Sequence, residues 1–250
     1  MINLINIKKF DFLIEKPFTI FEKKNFLPEV LYDLLSKEFP SESYFKSKHS
    51  LGTKKYFNNK DDQFKLFLDN SKTWKEFYEN FNSEQTLLNI FEICKEHLRS
   101  IDRRKKINSI DFQYKVKNNF LNKLIRKIKQ TLGIYEVRLA FEFSLMKNGD
   151  FIPPHNDTEN KIVSLMIYFP DESQLNEKDL GTNFFKIKSK NLDIWKGDMM
   201  NAKEASHFYQ NYEIFYKSEF EKNKLVGFLK SNNSWHDVSK INSKINLRRS

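Results

Sequence analysis

Hydrophobic positions in the first half of the chain recur mostly at helical spacing. Pro28 is a residue type common in the first turn of helices, and Val30, Leu31, Leu34 and Leu35 follow it on one predicted helix face. Two more stripes of this spacing contain Trp74, Phe77 and Phe81, and then Leu87, Leu88, Ile90, Phe91 and Ile93. The last stripe follows Asn82 and Gln85, which resemble a capping box. The polar stretch 41–60 predicts a loop, so the first half is predicted to be mainly helical.

In the second half, apolar residues fall in short runs that contain many β-branched and aromatic side chains. The run Lys161–Phe169, which Pro170 bounds, predicts a buried strand, and Leu225–Leu229 predicts another. The two halves together indicate an α+β fold, with helices first and strands after them.

One pair of polar residues in this second half has the spacing of a metal chelate. His155 and Asp157 follow the segment Phe151-Ile152-Pro153-Pro154. In an extended strand, residues i and i+2 point to the same side, so both side chains can reach one ion while Asn156 points away. The two prolines restrain the approach to extended geometry, which suits ligands that must be placed before the ion arrives.

A third ligand has to come from elsewhere in the chain, and two histidines compete for this role. His236 follows the predicted strand Leu225–Leu229, and Arg248 lies twelve residues after it. His207 has only Lys217 at a comparable distance, in a segment without a clear strand partner. We therefore favour His236. Two histidines and a carboxylate with open coordination positions are the arrangement of non-haem iron oxygenases.

The ordered series of motifs from Leu139 to Ser250 resembles the iron(II)- and 2-oxoglutarate-dependent oxygenases of the prolyl-4-hydroxylase-like group. The resemblance runs through residues 149–157, 163–169, 180–185, 223–228, 236–238 and 248–250. It implies a double-stranded β-helix (jelly-roll, cupin-like) core over residues 135–250. It also implies that an α-helical N-terminal part, residues 1–134, packs on this core in the same compact unit.

The resemblance also assigns roles to six residues. The implied catalytic iron ligands are His155, Asp157 and His236. Arg248 would pair with the distal carboxylate of 2-oxoglutarate, with Ser250 beside it, and Tyr168 matches a position that often binds this co-substrate. A guanidinium suits the task because its donors grip a carboxylate in a bidentate way. With O2 as second co-substrate, such enzymes hydroxylate a C–H bond of a peptide, protein or small molecule and release succinate and CO2.

The chain departs from the family pattern at two places. Residues 143–148 contain no tyrosine where many relatives carry one, so a co-substrate contact is missing or is supplied by another residue. The chain also stops at Ser250, where relatives usually continue the last strand. Asp237, next to His236, is interpreted as a surface carboxylate or a supporting partner rather than a fourth ligand.

The composition of the chain indicates the size of its core and the cellular compartment in which it is found. The 250 residues include 25 phenylalanines, enough for a substantial core, but no apolar stretch approaches the roughly 18 residues of a membrane span. The N-terminal residues Met1–Phe10 lack the pattern of a secretory signal. The single cysteine, Cys94, falls in a helical pattern that predicts a buried, inert thiol. These features predict a cytoplasmic protein.

The net charge of +10 is concentrated in one stretch of the sequence. Residues 97–133 contain eleven Lys or Arg and two Asp, and Leu121, Leu124, Ile125, Ile128 and Leu132 recur there at helical spacing. This basic amphipathic helix can meet an anionic partner along Arg103 to Lys129, such as phosphate, an anionic glycan or a membrane surface. It can also pack its apolar side on a sheet and leave its lysines in water, which is the interpretation we favour.

Two further alternatives stay open at the level of sequence. The aromatic segment 189–222 can form a substrate lid or wall beside the iron, or a helix that covers the barrel edge. The chain as a whole can also be a non-catalytic polyanion-binding module on a barrel scaffold, or a cupin-like metal enzyme that does not use 2-oxoglutarate. The substrate and the oligomeric state are not predicted.

Overall fold

Six α-helices and several small sheets make up the described part of the computed structural model, which covers residues 11–45, 47–48, 52–99, 107–113, 119–171, 180–189, 202–242 and 247–250. The helices are α1 (Glu29–Lys37), α2 (Asp62–Asn70), α3 (Lys72–Phe81), α4 (Glu84–Arg99), α5 (Phe120–Thr131) and α6 (Ala202–Asn211). The strands are β1 (Phe12–Ile14), β2 (Ile20–Lys23), β3 (Ser47–Lys48), β4 (Lys55–Asn58), β5 (Ser109–Phe112), β6 (Ile134–Val137), β7 (Glu142–Met146), β8 (Ile152–His155), β9 (Val163–Ile167), β10 (Asn183–Ile187), β11 (Tyr212–Lys217), β12 (Leu225–Leu229), β13 (His236–Val238) and β14 (Arg248–Arg249).

Helices α1, α3 and α4 form where the apolar spacing predicts them. Helix α1 begins directly after Pro28, and the stripe of α3 is buried. The capping prediction for α4 is wrong by one residue, because Ser83 caps this helix: its Oγ accepts from the backbone N–H of Thr86 at 3.3 Å. Asn82 instead donates from its side chain to the Tyr78 hydroxyl.

The predicted loop over residues 41–60 contains secondary structure that the sequence pattern did not indicate. A 3-10 turn over Glu42–Tyr44 is followed by β3 and β4. Strand β4 pairs antiparallel with β7, and Phe57 stacks on Phe143 across the two strands with ring centroids 5.0 Å apart. One buried aromatic among polar neighbours carries little local signal, so this strand depends on its partner.

Three four-stranded antiparallel sheets organise the described residues. Their strand orders are β1-β2-β12-β9, β11-β10-β13-β8 and β14-β7-β4-β3, and β5 and β6 form a separate parallel pair. Strands β2 and β4 from the first half thus pair with β12 and β7 from the second. Helical and strand-rich parts of the sequence therefore share sheets as well as a core.

Three apolar clusters fill the interior of the described residues. The largest joins helices α1 to α4 to β7 and β12 and is dominated by aromatic rings around Trp74. The smallest packs α6 on a sheet through Phe208 and Trp235. The intermediate one lies among the sheets and includes Met146, Tyr168, Phe184 and Phe228. This intermediate cluster borders the candidate site described below.

The single cysteine lies in a helix and is buried, as the sequence predicts. Cys94 is buried in α4, and burial raises the pKa of its thiol to about 12, so the thiolate is disfavoured. In the described segments, no helix combines the length and the apolar composition needed to cross a bilayer.

Helix α5 is oriented opposite to the favoured sequence interpretation. Its apolar residues, Leu121 and Ile128 among them, are exposed, whereas Arg126 and Lys129 turn inward. Arg126 Nε lies 2.7 Å from a carboxylate oxygen of Glu136 on β6. The earlier part of the basic stretch, Arg103–Lys106, lies outside the described residues.

We expect Trp74→Ala to lower the free energy of unfolding by about 3–5 kcal/mol. Trp74 packs edge-on against Phe143 with centroids 4.7 Å apart, and its Nε1 donates to the backbone carbonyl of Leu35 at 3.1 Å. Urea denaturation measures the change. Phe120→Ala is the matched control, because Phe120 is 83% exposed and its loss should cost less than about 0.5 kcal/mol. Equal effects of the two substitutions would contradict this description of the core.

Candidate metal centre

Strand register places the two predicted histidine ligands opposite each other. Strands β8 and β13 pair antiparallel, with His155 and His236 as direct partners. Their ring centroids are 4.1 Å apart. Strand β8 is the edge of its sheet, the position at which a β-sheet accommodates prolines such as Pro153 and Pro154 without losing ladder hydrogen bonds.

Asp157 completes a group of three. It follows β8 by two residues, and one ligand atom from each of His155, Asp157 and His236 lies within 4.8 Å of the others. Asp157 and His236 are buried, and His155 is half-buried. The structure therefore brings together the three residues that the sequence predicts as a ligand set.

Backbone carbonyls orient both imidazoles. The Nδ1 atom of His155 lies 3.0 Å from the carbonyl oxygen of Pro153, and the Nδ1 atom of His236 lies 2.9 Å from that of Ser234. A carbonyl only accepts, so each Nδ1 carries the proton and donates it. The Nε2 lone pair of each ring is thereby left for a cation, which is how metal-binding histidines are commonly held.

The electrostatics of the group also favour a cation. Burial lowers the pKa of both imidazoles, and for His155 the neighbouring His236 lowers it further, so both rings are held neutral. Burial raises the pKa of the Asp157 carboxyl, but His236 and Lys161 oppose this, and the pKa lies below its usual range. Two neutral nitrogens and one carboxylate are the protonation states that metal ligands need.

Two residues that the sequence did not single out hold the Asp157 carboxylate. Lys161 Nζ lies 2.6 Å from Oδ1, and Ser164 Oγ donates to Oδ2 at 2.5 Å. Lys161 lies four residues after Asp157 in the sequence. Ser164 lies on β9, the next strand along the chain, which belongs to a different sheet. Neither spacing is a recognised ligand motif, so only the fold reveals these partners.

A hydrogen-bond network behind the ligands ties their two chain segments together. Asn156 points away from the group, as predicted, and its Oδ1 accepts from Lys230 Nζ and Ser234 Oγ at 2.8 Å each. Its Nδ2 donates to the carbonyl of Asn232 at 2.7 Å. The residue between His155 and Asp157 therefore anchors the turn that leads into His236.

Asp237 lies on the opposite face of β13 and does not join the ligand group. Its carboxylate accepts from Asn183 Nδ2 at 2.6 Å and from the Tyr209 hydroxyl at 2.5 Å, and burial raises its pKa to about 6. Tyr209 belongs to α6, so the carboxylate fastens that helix to the strand that carries His236. Of the two interpretations of Asp237, the surface carboxylate is wrong, because the residue is buried, and the supporting role agrees with this geometry.

Helix α6 covers the outer face of the sheet. Phe208 packs against Phe185 and Trp235, with centroids 5.3 and 5.2 Å away, and side chains alternate along each strand, so these contacts lie opposite to His236. The described part of segment 189–222 contains α6, which covers a sheet face rather than the predicted edge, and β11, a strand that neither sequence alternative predicted. Residues 190–201, with Trp195, lie outside the described residues. His207 is exposed on this helix and is not in the ligand group.

Two adjacent arginines on β14 have different environments. Arg249 forms an ion pair with Asp171 and donates to the carbonyl of Phe169. Arg248 is buried, its Nε donates to the carbonyl of Leu180 at 2.6 Å, and no acidic side chain among the described residues pairs with it. Burial lowers its pKa, and a buried cation without a carboxylate is costly unless a ligand supplies the negative charge.

Two aromatic rings pack on Arg248, and one of them carries a hydroxyl that belongs to a cluster of hydroxyl groups. Its guanidinium lies over the ring of Tyr168, 5.3 Å from the centroid, and the Tyr168 hydroxyl lies 2.9 Å from both Thr182 Oγ1 and Ser218 Oγ. Gly181 allows the backbone at Ser218 to lie close to the backbone next to Thr182, because a Cβ at position 181 would lie 1.6 Å from the carbonyl oxygen of Ser218. The sequence pointed to Tyr168 but not to its two hydroxyl partners.

The side chain of Ser250 contacts Ser144, not the described residues that surround Arg248. The two hydroxyl oxygens are 2.6 Å apart, and the backbones of the two residues form a pair of hydrogen bonds. Residues two apart on a strand share a face, so Ser250 is on the Arg248 side of β14.

The ligand group and Arg248 border the same apolar cluster. The His236 ring lies 4.5 Å from that of Phe228 and 6.2 Å from that of Phe184. Both phenylalanines pack in the cluster that also contains Met146 and Tyr168, the residues next to Arg248. The three candidate metal ligands and the buried guanidinium of Arg248 thus lie at two borders of one apolar region.

Comparisons with known proteins give little further information. No family model matches the sequence, and no curated protein matches it. Among solved structures, a Pseudomonas putida prolyl-4-hydroxylase is similar at 12% sequence identity and a TM-score of 0.47, over 92% of this chain and 88% of that one. A similarity this distant does not assign the chain to a family.

We expect His236→Ala to reduce the affinity for ferrous ion at least about tenfold, because one of three ligands is lost. His207→Ala is the matched control and should leave the affinity unchanged, since His207 lies on α6. Anaerobic calorimetric titration of both variants measures the difference. An equal loss in the two variants, or no loss in either, would contradict the proposed ligand set.

Proposed function

We propose that this protein is an Fe(II)- and 2-oxoglutarate-dependent dioxygenase that hydroxylates a C–H bond and releases succinate and CO2. The observation that carries the proposal is the convergence of His155, Asp157 and His236. A neutral pair of imidazoles with one carboxylate suits ferrous iron and leaves coordination positions for other ligands. When bound, the iron supplies the activation of O2 at the expense of 2-oxoglutarate.

The residues of the chain would hold the metal and protect its ligands. His155 and His236 would present Nε2 atoms whose orientation is set by the carbonyls of Pro153 and Ser234. Asp157 would bind through one of its carboxylate oxygens, of which Lys161 contacts Oδ1 and Ser164 contacts Oδ2. The rings of Phe184 and Phe228 beside His236 would keep water from that side of the site.

Arg248 supports an anionic co-substrate. Its Nε is taken by the carbonyl of Leu180, and Nη1 contacts only a weak acceptor, Met146 Sδ, at 3.9 Å, so the Nη groups would grip the distal carboxylate of 2-oxoglutarate. The hydroxyls of Tyr168, Thr182 and Ser218 would add hydrogen bonds to this carboxylate. They would replace the tyrosine that residues 143–148 lack, with Ser250 as a further hydroxyl on the same face.

The strand order supports a double-stranded β-helix for residues 135–250. From β7 to β14, the chain crosses between the sheet β11-β10-β13-β8 and strands of the other two sheets after every strand except β10, which β11 follows in the same sheet. A backbone hydrogen bond of 3.1 Å from Phe169 to Arg249 links the strand ends of those two sheets. Eight antiparallel strands in two facing layers are the pattern of a jelly roll.

The substrate class that we propose is a peptide, protein or small molecule with a reachable C–H bond. A cytoplasmic location would match the single cysteine and the supply of ferrous iron and 2-oxoglutarate there. Neither proposal depends on the geometry of the iron ligands.

Anaerobic titration with ferrous iron and then 2-oxoglutarate tests the function. We expect the weak visible charge-transfer band that forms when a 2-oxo acid chelates iron. Once O2 is then admitted, we expect 2-oxoglutarate-dependent succinate formation over a substrate panel. Iron binding without the band would identify a metal enzyme that does not use 2-oxoglutarate. Failure to bind iron would identify a non-catalytic module.

The adjacent arginines provide a matched pair of variants. We expect Arg248→Lys to weaken 2-oxoglutarate binding about 10- to 100-fold, since a bidentate charge-assisted contact becomes a single one. Arg249→Lys should change this affinity less than about twofold, because Arg249 faces Asp171. The dissociation constant is read from the charge-transfer band. Equal effects in both variants would refute the role of Arg248.

A further inference from the structure

Helix α5 exposes an apolar face that no described part of the chain covers. The face contains Phe120, Leu121, Leu124, Ile125, Ile128 and Leu132, of which Phe120 is 83% exposed and both Leu121 and Leu132 are 62% exposed. Single exposed apolar residues are ordinary on protein surfaces. Six of them side by side on one helix are not, and such patches mark interaction surfaces.

The polar side of α5 explains why the apolar side faces outward. Arg126 pairs with Glu136, and Lys129 pairs with Asp111 and Glu136, so two cations of the helix are fixed on β5 and β6. Asn119 caps the first turn through its side chain, accepting from the N–H of Asn122 at 2.8 Å. Ion pairs on one side therefore fix which side of the helix is left for a partner.

Two lysines border the exposed face. Lys123 and Lys127 are four residues apart and exposed, so they lie side by side along one edge of the apolar stripe. The helix contains no acidic residue, and the chain carries a net charge of +10. An apolar stripe with a basic border is the pattern of helices that lie in the interface of an anionic membrane.

Other partners match this surface less well. A nucleic acid or other soluble polyanion would contact the lysines but leave the apolar face in water. A second copy of the chain would set two α5 helices, both basic and without acidic residues, against each other. An anionic lipid surface complements both the apolar face and its charge.

We propose that α5 docks this protein on an anionic membrane surface, with its apolar face at the boundary of headgroups and acyl chains and Lys123 and Lys127 among the headgroups. Its 12 residues span about 18 Å, well short of the roughly 30 Å hydrocarbon layer, so the helix lies on the membrane. The inference does not depend on the proposed oxygenase function, because α5 contains none of the candidate site residues.

Vesicle flotation with the full chain tests the proposal. We expect binding to phosphatidylcholine vesicles that contain phosphatidylglycerol, weaker binding at high salt, and little binding to phosphatidylcholine alone. Leu124→Gln with Ile128→Gln removes part of the apolar face, and Lys123→Glu with Lys127→Glu reverses its basic border. Each pair should lower the partition coefficient at least about tenfold.

A matched pair on another helix controls for general surface effects. Lys65→Glu with Leu66→Gln alters a lysine and a leucine that are exposed on α2, and it should leave vesicle binding unchanged. All the altered residues are exposed, so thermal unfolding should be similar in every variant.

Four outcomes would overturn the proposal. The first two are a wild-type chain that is not recovered with anionic vesicles, and α5 variants that bind them as well as the wild type does. The third is a dimer in light scattering that Leu124→Gln with Ile128→Gln dissociates while vesicles are not bound, in which case a second copy covers the face. Binding to a nucleic acid that Lys123→Glu with Lys127→Glu abolishes, without vesicle binding, would assign the surface to a polyanion.

Discussion

The pairing of β8 with β13 is the constraint on which the candidate site depends. It sets His155 opposite His236 and leaves Asp157 just beyond the strand end, where its carboxylate joins them. A slip of one residue would turn His236 toward α6 and Asp237 toward the site. The network around Asn156 opposes such a slip because it joins the two chain segments directly.

The two faces of β13 contact different parts of the molecule. On the outer face, Trp235 and Asp237 hold α6 through ring packing and a hydrogen bond from Tyr209. On the inner face, His236 meets the rings of Phe184 and Phe228. Helix α5 divides its faces in a comparable way, since ion pairs hold its polar side and leave its apolar side exposed. In both elements, polar contacts on one face determine which side chains remain available on the other.

Features that depend on neighbouring residues could be predicted from the sequence. The i, i+2 spacing of His155 and Asp157 and the apolar stripe of α3 are local patterns, and the structure contains both. The pairing of β4 with β7, the contacts of Lys161 and the orientation of α5 depend on distant segments. For α5, the helical spacing identified the apolar face but not the side on which Glu136 would hold Arg126. The contrast between Arg248 and Arg249 likewise depends on the position of Asp171.

Anomalous scattering from crystals grown anaerobically with ferrous iron and 2-oxoglutarate tests the central claim most directly. The proposed site predicts one iron peak about 2.1 Å from Nε2 of His155 and His236 and from a carboxylate oxygen of Asp157. It also predicts density for a bound carboxylate at the guanidinium of Arg248. Iron at another position, or no iron at these three residues, would contradict the account.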